Sequence, residues 1–379
     1  MSVALNGTNG VTYNDGTVQA SAPVGRNLII NGNMRIAQRG TSVTGLTGTA
    51  YSTVDRFQTV ISSLGTWTES QSTDAPAGFS SSLKFECTTA NASPAAGSVI
   101  LTNHRIEGNT LPSLAFGTAS AKSVTLSFWV KSNKIGTYAV GFRNIDNGRA
   151  IGGNYTIDSA DTWEQKTFTF EGDTVSGFNI DNTVAATVEW FFGAGTDYTS
   201  GTMPTTWATT VTANRAAGQT VNLADTVSNY INITGVQLET GTTATDFENL
   251  QYGQQLALCQ RYAVVLANST SGKSGITMLG TRGYIGFGLA HNSVNPVVYC
   301  ELPIIMRALP SQTYSSVSHF MFDRGWAATA TLTALSIQSL RSSTKSIALI
   351  GTTSGLNNGD AGAFDFNSTA GWLLLDAEL

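Results

Sequence analysis

The sequence predicts an all-β protein: a β-sandwich with a short N-terminal hairpin arm, a linking helix and a smaller C-terminal β domain. Three observations carry that expectation. Apolar residues alternate with polar ones along many short runs, as in Val124, Leu126, Phe128 and Val130, the period of a half-buried strand. Turn residues punctuate those runs; glycine alone occurs 39 times. Helical periodicity is confined to one stretch near the middle of the chain.

Taken in order, the first element is a hairpin. Val11-Thr12-Tyr13 and Thr17-Val18-Gln19 flank Asn14-Asp15-Gly16, and Asp-Gly between alternating residues favours a tight two-stranded turn. Ser21 to Gly25 reads as a linker, so residues 1–25 form an arm. A lone hairpin is marginal in water and needs a partner. That partner is either a larger particle or further copies of the arm, and Val11, Tyr13, Asp15 and Gly16 are the expected docking residues. Residues 26–246 follow as the sandwich, with further strand runs at Thr137–Phe142, Lys166–Phe170, Thr187–Phe192 and Tyr230–Val236. Next, Thr245-Asp246-Phe247-Glu248 has the form of a capping box. Tyr252, Leu256, Cys259 and Ala263 then recur at helical spacing, which predicts a linking helix over 247–261. Residues 262–379 return to strands, among them Arg282–Gly288, Pro296–Glu301 and Trp372–Leu379, the last apolar enough to be buried. No regular repeat is present, which disfavours a propeller or a long β-helix.

Composition narrows the function. Charged residues make up 12% of the chain and the net charge is −5, so nucleic acid gains no electrostatic hold. The N-terminal residues carry no basic-then-apolar leader and no run approaches membrane-spanning length. Synthesis in a cytoplasm without membrane insertion is the expectation. Cys87, Cys259 and Cys300 are far apart and odd in number, which suits buried thiols better than a disulfide frame or a zinc site.

No catalytic constellation is legible. His104, His291 and His319 are the only histidines, and Gly-x-Ser-x-Gly is absent. Ser271-Gly272-Lys273-Ser274 mimics the end of a phosphate loop, but Ala267 stands where its first glycine belongs. Asp158, Asp161, Glu171, Asp173 and Asp181 lie close in sequence. They read as turn acids, with room left for a structural calcium ion or a glycosidase pair; no other cofactor is expected. Sugar sites stack aromatic faces on pyranose rings and frame them with amides. The aromatics in loop-like contexts are Trp67, Tyr198, Trp207 and Trp326, and these are the candidate ligand contacts. Trp129, Trp163 and Trp190 fall in strands and read as core.

Several segments together resemble a phage tail-fibre and receptor-binding family. Gly10–Gln19 is similar to its "pdGTxQ" opening, Asn27–Gly40 to "NLLINGxFxIxQRG", and Asp55-Arg56-Phe57 to "aDRw". Val236–Tyr262 resembles "vQLExGxxATxFExRxxxxELxlCQRYy". Met306-Arg307-Ala308-Leu309-Pro310 and Asp376-Ala377-Glu378-Leu379 are similar to "MRxxPt" and "DAEL". The order is kept over nearly the whole chain. Gln254-Gln255 departs from the usual acidic residue and Leu309 from the usual small one. The resemblance implies a galactose-binding-like, carbohydrate-module jelly roll on a homotrimer within a virion. Other tail or capsid proteins and a host cell-surface glycan would be its partners. The alternatives are a purely structural head fibre or adaptor and a polysaccharide depolymerase.

Overall fold

The structure is a computed structural model that describes residues 25–268, 270–278, 283–325 and 329–379, of 277 and 278 only the backbone. It also describes the backbone of three short strands in the arm. These are β1 (Ala4–Asn6), β2 (Gly10–Thr12) and β3 (Val18–Gln19), joined as one antiparallel sheet with Val11 opposite Gln19 and Thr12 opposite Val18. That is the pairing expected of a hairpin about Asp15-Gly16. Tyr13, Asp15 and Gly16 themselves, and the side chain of Val11, lie outside the described residues.

Twelve strands build the sandwich: β4 (Ser42–Leu46), β5 (Phe57–Ser62), β6 (Thr66–Ser72), β7 (Ser82–Thr89), β8 (Val99–Glu107) and β9 (Val124–Ser132) come first. They are followed by β10 (Gly136–Asn144), β11 (Arg149–Ile157), β12 (Glu164–Phe170), β13 (Val184–Ala194), β14 (Ala208–Thr209) and β15 (Tyr230–Thr240). One sheet has the order β14-β11-β10-β13-β8-β5 and the other β12-β9-β15-β7-β6-β4. Every pairing is antiparallel, so the two sheets make a jelly roll. The predicted alternation places Val124, Leu126, Phe128 and Val130 in the core between the sheets. Phe128 packs edge-on against Trp190 at 5.9 Å and Tyr155 at 5.2 Å, a geometry that aromatic quadrupoles favour.

Of two short helices, α1 (Thr196–Thr199) interrupts the crossing between β13 and β14, and α2 (Tyr252–Gln260) follows β15. The linking helix is thus shorter than the predicted 247–261. The Thr245/Glu248 capping box does not form because both side chains are engaged elsewhere. Thr245 Oγ1 donates to Glu239 at 2.6 Å, while Glu248 accepts the Gly25 and Asn27 N–H groups at 2.6 and 2.8 Å. Gln251 and Gln254 make the reciprocal cap instead. No helix among the described residues is long and apolar enough to cross a membrane.

The C-terminal β domain contains β16 (Ala263–Asn268), β17 (Ile276–Met278), β18 (Tyr284–Ala290), β19 (Pro296–Glu301), β20 (Ser311–Tyr314) and β21 (Phe320–Asp323). It continues with β22 (Thr329–Thr331), β23 (Ala334–Ile337), β24 (Ser346–Thr352), β25 (Ala361–Phe366) and β26 (Trp372–Asp376). Its sheets run β17-β16-β26-β20 and β22-β21-β25-β18-β19-β24-β23 around a separate core of Phe320, Phe322, Phe364, Phe366, Leu373 and Leu375. The apolar C-terminal strand is indeed internal, with Leu373 and Leu375 fully buried.

Ion pairs and buried hydrogen bonds join the two cores. Arg39 lies 3.5 Å from Asp55, 3.3 Å from Asp376 and 3.2 Å from Glu378. Arg56 also pairs with Glu378 and stacks 3.5 Å over the Tyr262 ring. Gln38 Nε2 donates to Asp55 at 2.6 Å and to the Ala263 carbonyl at 2.9 Å. Tyr262 and Arg261 both donate to Glu107, and Arg307 donates to the carbonyls of Asn182, Ala377 and Glu378. Burying so many charges is tolerable because almost every one is paired.

Candidate functional site

The outward face of the first sandwich sheet gathers polar groups that the core has no use for. Register sets them in one row. Gln58 on β5 lies opposite Asn103 on β8, Asn103 opposite Glu189 on β13, Glu189 opposite Gly141 on β10, and Gly141 opposite Gly152 on β11. Their neighbours Trp190, Val140 and Val188 point inward to the core, so strict alternation delivers amide, amide and carboxylate to the other side. Gln58, Asn103, Thr187 and Glu189 form the floor and are nearly buried.

Glu189 is the electrostatic centre. Arg143 Nη1 donates to its Oε1 at 2.8 Å, and Arg215 Nη2 reaches both carboxylate oxygens at 2.9 Å. Two guanidiniums on one carboxylate leave the group with a net positive charge. The Arg215 guanidinium also lies 5.4 Å from the ring centres of both Phe191 and Tyr198, so cation–π contact holds it flat. Asn103 Nδ2 donates to Gln58 Oε1 at 3.3 Å. Asn103 Oδ1 and Thr187 Oγ1 are buried and have no partner. Unpaired buried oxygens of this kind cost about 1–3 kcal/mol each.

The paired glycines keep the floor low. A Cβ on Gly152 would stand 2.6 Å from Met203 Sδ, so the 195–219 crossing can lie directly on the strands. Val99, Leu101, Ala139, Phe191 and Ala216 seal that crossing down, with Tyr198 and Met203 at its border. Between Arg143, Glu189, Met203 and Arg215 remains a cleft of only ≈ 10 Å³, room for about one water. A sugar would therefore lie across this face and not inside it. A wider groove of ≈ 720 Å³ at the end of the sandwich runs between Ser63–Thr66 and Thr89–Ser93, but it offers neither an aromatic nor a charged side chain.

Of the four predicted ligand contacts, one reaches the site. Tyr198 stands at its rim, half-buried against Phe191 at 6.2 Å. Trp67 is a correction: it is fully buried in the main core, with Nε1 donating to the Leu64 carbonyl at 2.7 Å. Its turn-like sequence context concealed a place on β6, where every second side chain faces inward. Trp207 packs edge-on against Phe116 and Phe142 and donates to the Glu171 carbonyl at 2.7 Å, closing an end of the core. Trp326 lies outside the described residues. Gln58, Asn103, Glu189, Arg143 and Arg215 were missed. For the first four the signal was present, polar residues at the outward positions of otherwise apolar strands, while Arg215 arrives from the crossing after β14; only the tertiary structure brings them together.

The other sequence candidates are dispersed. Arg149 Nε donates to Asp173 at 2.6 Å and Tyr230 donates to Asp161 at 2.5 Å, while Asp181 binds Thr183. Among the described residues, no three His, Cys, Asp or Glu side chains are placed to hold a metal. His104 is buried against Phe57, and burial followed by the nearby Arg56 holds its pKa well below the ordinary value. His291 meets Arg341, and His319 meets Ser315. Lys273 and Ser274, the phosphate-loop mimic, donate to the carbonyls of Arg39 and Ala37 at 2.5 Å each and so help tie the domains together.

No family model and no curated protein matches this chain. Solved structures are similar to part of it. One is the enzymatically active domain of bacteriophage CBA120 tailspike protein 4, at 12% identity and TM-score 0.30 over 57% of this chain and 21% of that one. The alignment thus spans about a fifth of the tailspike. A CBM4 structure is 13% identical at TM-score 0.27, over 56% of this chain and 99% of that one. TmCBM61 in complex with β-1,4-galactotriose is 8% identical at TM-score 0.28, over 57% and 99%. Likeness of this degree assigns no ligand.

Proposed function

We propose that this chain is a non-catalytic attachment subunit of a phage virion, which recognises a cell-surface glycan across the outward face of its first jelly-roll sheet. The observation that carries the binding function is the cross-strand row Gln58, Asn103 and Glu189, framed by Arg143, Arg215 and Tyr198, with two buried oxygens unpaired. Amides and carboxylates at fixed spacing match vicinal hydroxyls, and an aromatic rim suits the C–H face of a sugar ring. The phage setting is supported by the ordered motifs of the sequence. The arm, too small to stand alone, would dock to other virion proteins.

Self-association is supported by the C-terminal domain. Tyr284, Phe287, Leu289 and Tyr299 stand on β18 and β19 with about half or more of their surface in water, and Phe287 lies opposite Tyr299. A row of this kind is costly on a monomer and marks an association surface. Homotrimers would multiply a weak glycan contact into firm attachment.

A second reading, a purely structural fibre or adaptor, is favoured by one observation: Gln38, Arg39, Asp55, Arg56, Arg261, Tyr262, Arg307 and Glu378, all in the quoted motifs, hold the two domains together and not the groove. Binding of the purified protein to intact host cells, with mass photometry on the same sample, separates the readings. A trimer that binds, and that loses binding to stripped cells or on Glu189→Gln substitution, is the expected result. A trimer that binds nothing supports the structural reading. Release of reducing sugar would make it a depolymerase, and a monomer would remove the fibre assignment.

A further inference from the structure

A second hollow lies away from the sheet face, where three segments meet. Asn33 and Arg35 come from the turn before the sandwich, Gly78, Phe79 and Ser80 from the connection between β6 and β7, and Asn249 from the stretch leading to α2. Its volume is ≈ 370 Å³, within the range of small-ligand sites. The sequence explains how Asn33 comes to line it. Gly32 is pressed onto β15, where a Cβ would meet the Val236 carbonyl at 2.0 Å. Asn31 and Met34 on either side adopt left-handed backbone, φ 62° and 57°.

Three groups there are left incompletely satisfied. Asn33 is 2% exposed and its Oδ1 accepts no hydrogen bond. Arg35 is exposed and makes no ion pair among the described residues; its guanidinium rests 5.5 Å from the Tyr252 ring. Phe79, edge-on to Phe247 at 5.1 Å, leaves part of its ring in the hollow. An occupant must therefore bring a donor for the Asn33 oxygen, an anion for Arg35 and an apolar face for Phe79. Inorganic phosphate lacks the apolar face and a neutral sugar lacks the anion. A pyranose bearing a carboxylate supplies all three.

We propose that this hollow is a separate subsite for a carboxylated sugar, a hexuronic acid unit, with Arg35 on the carboxylate, Asn33 on a hydroxyl and Phe79 under the ring. The test is titration of the full-length protein with D-glucuronate, D-glucose and inorganic phosphate, followed by isothermal titration calorimetry. Glucuronate should bind at least tenfold more tightly than either control. Arg35→Gln should weaken it by tenfold or more and Arg35→Lys by less, with unchanged melting because the side chain is exposed. Equal binding of phosphate, no glucuronate binding, or indifference to Arg35→Gln would overturn the subsite. Loss of glucuronate binding on Glu189→Gln, and not on Arg35→Gln, would also overturn it while leaving recognition by the sheet face intact.

Discussion

Asp55 shows how one residue can serve two purposes that conflict. It is wholly buried, and desolvation pushes its pKa up to about 6, although Arg39 and the Gln38 hydrogen bonds pull the other way. Ionised, it organises the joint between domains; its charge is nevertheless disfavoured there. Glu107, across the same joint, goes the other way: burial raises its pKa, but hydrogen bonds from Arg261 and Tyr262 outweigh that and hold it below the ordinary value. The sign for Asp55 follows. An acid whose folded pKa lies above its unfolded 3.8 binds the extra proton in the folded state between those values. Stability from this residue therefore rises as pH falls from about 7 toward 4, by up to roughly 3 kcal/mol. Relative to Asp55→Asn, the wild-type protein should gain melting temperature on acidification from pH 7 to pH 5, as read by parallel thermal scans. A constant gap across that range would show that Asp55 does not titrate there. The residues of this network, Arg39, Asp55, Arg56 and Glu378, were visible as motif letters. Their meeting was not, because more than 300 positions separate Arg39 from its partners Asp376 and Glu378.

At the scale of elements, alternation located the strands it marked, such as β9 and β10, and helical spacing located α2 less well. A strand announces itself by its own residues, since each buries every second side chain against the opposite sheet. The helix boundary depended on Glu248, whose carboxylate was claimed by Gly25 and Asn27 from over 220 positions away. That contact also anchors the arm's exit from the body. Because Gly25 is held to the jelly roll while the strands β1 to β3 pair only with one another in the described pairings, the arm should be dispensable for folding. Removal of residues 1–24 is expected to leave melting within a degree or two and oligomeric mass per subunit otherwise unchanged, while abolishing incorporation into particles. Normal incorporation of that truncation would exclude the arm as the docking element.

Across the whole molecule, two cores joined by paired charges present two faces of different chemistry. The jelly-roll face is polar and floored by Glu189; the β18–β19 face is apolar, with Phe287 66% exposed. Substituting Phe287→Glu should convert the assembly to monomer by mass photometry with little change in the melting of each subunit, since most of the side chain lies in water and its ring meets that of Tyr284 at 5.5 Å. A persistent trimer would place the subunit interface elsewhere. Chain order and local pattern alone determined that this protein is all-β, where several of its strands lie, that it carries a hairpin arm and a C-terminal strand apolar enough to be buried. Local alternation suffices for these, because a strand's burial is written in neighbouring residues. Only the tertiary structure decided that Trp67 is core, that Gln58, Asn103 and Glu189 share one row, and that the far-apart motifs meet at one joint. Those outcomes depend on register and on which sheet faces which. Both are set by the packing of residues distant in sequence, where a one-residue shift would turn every side chain to the other face.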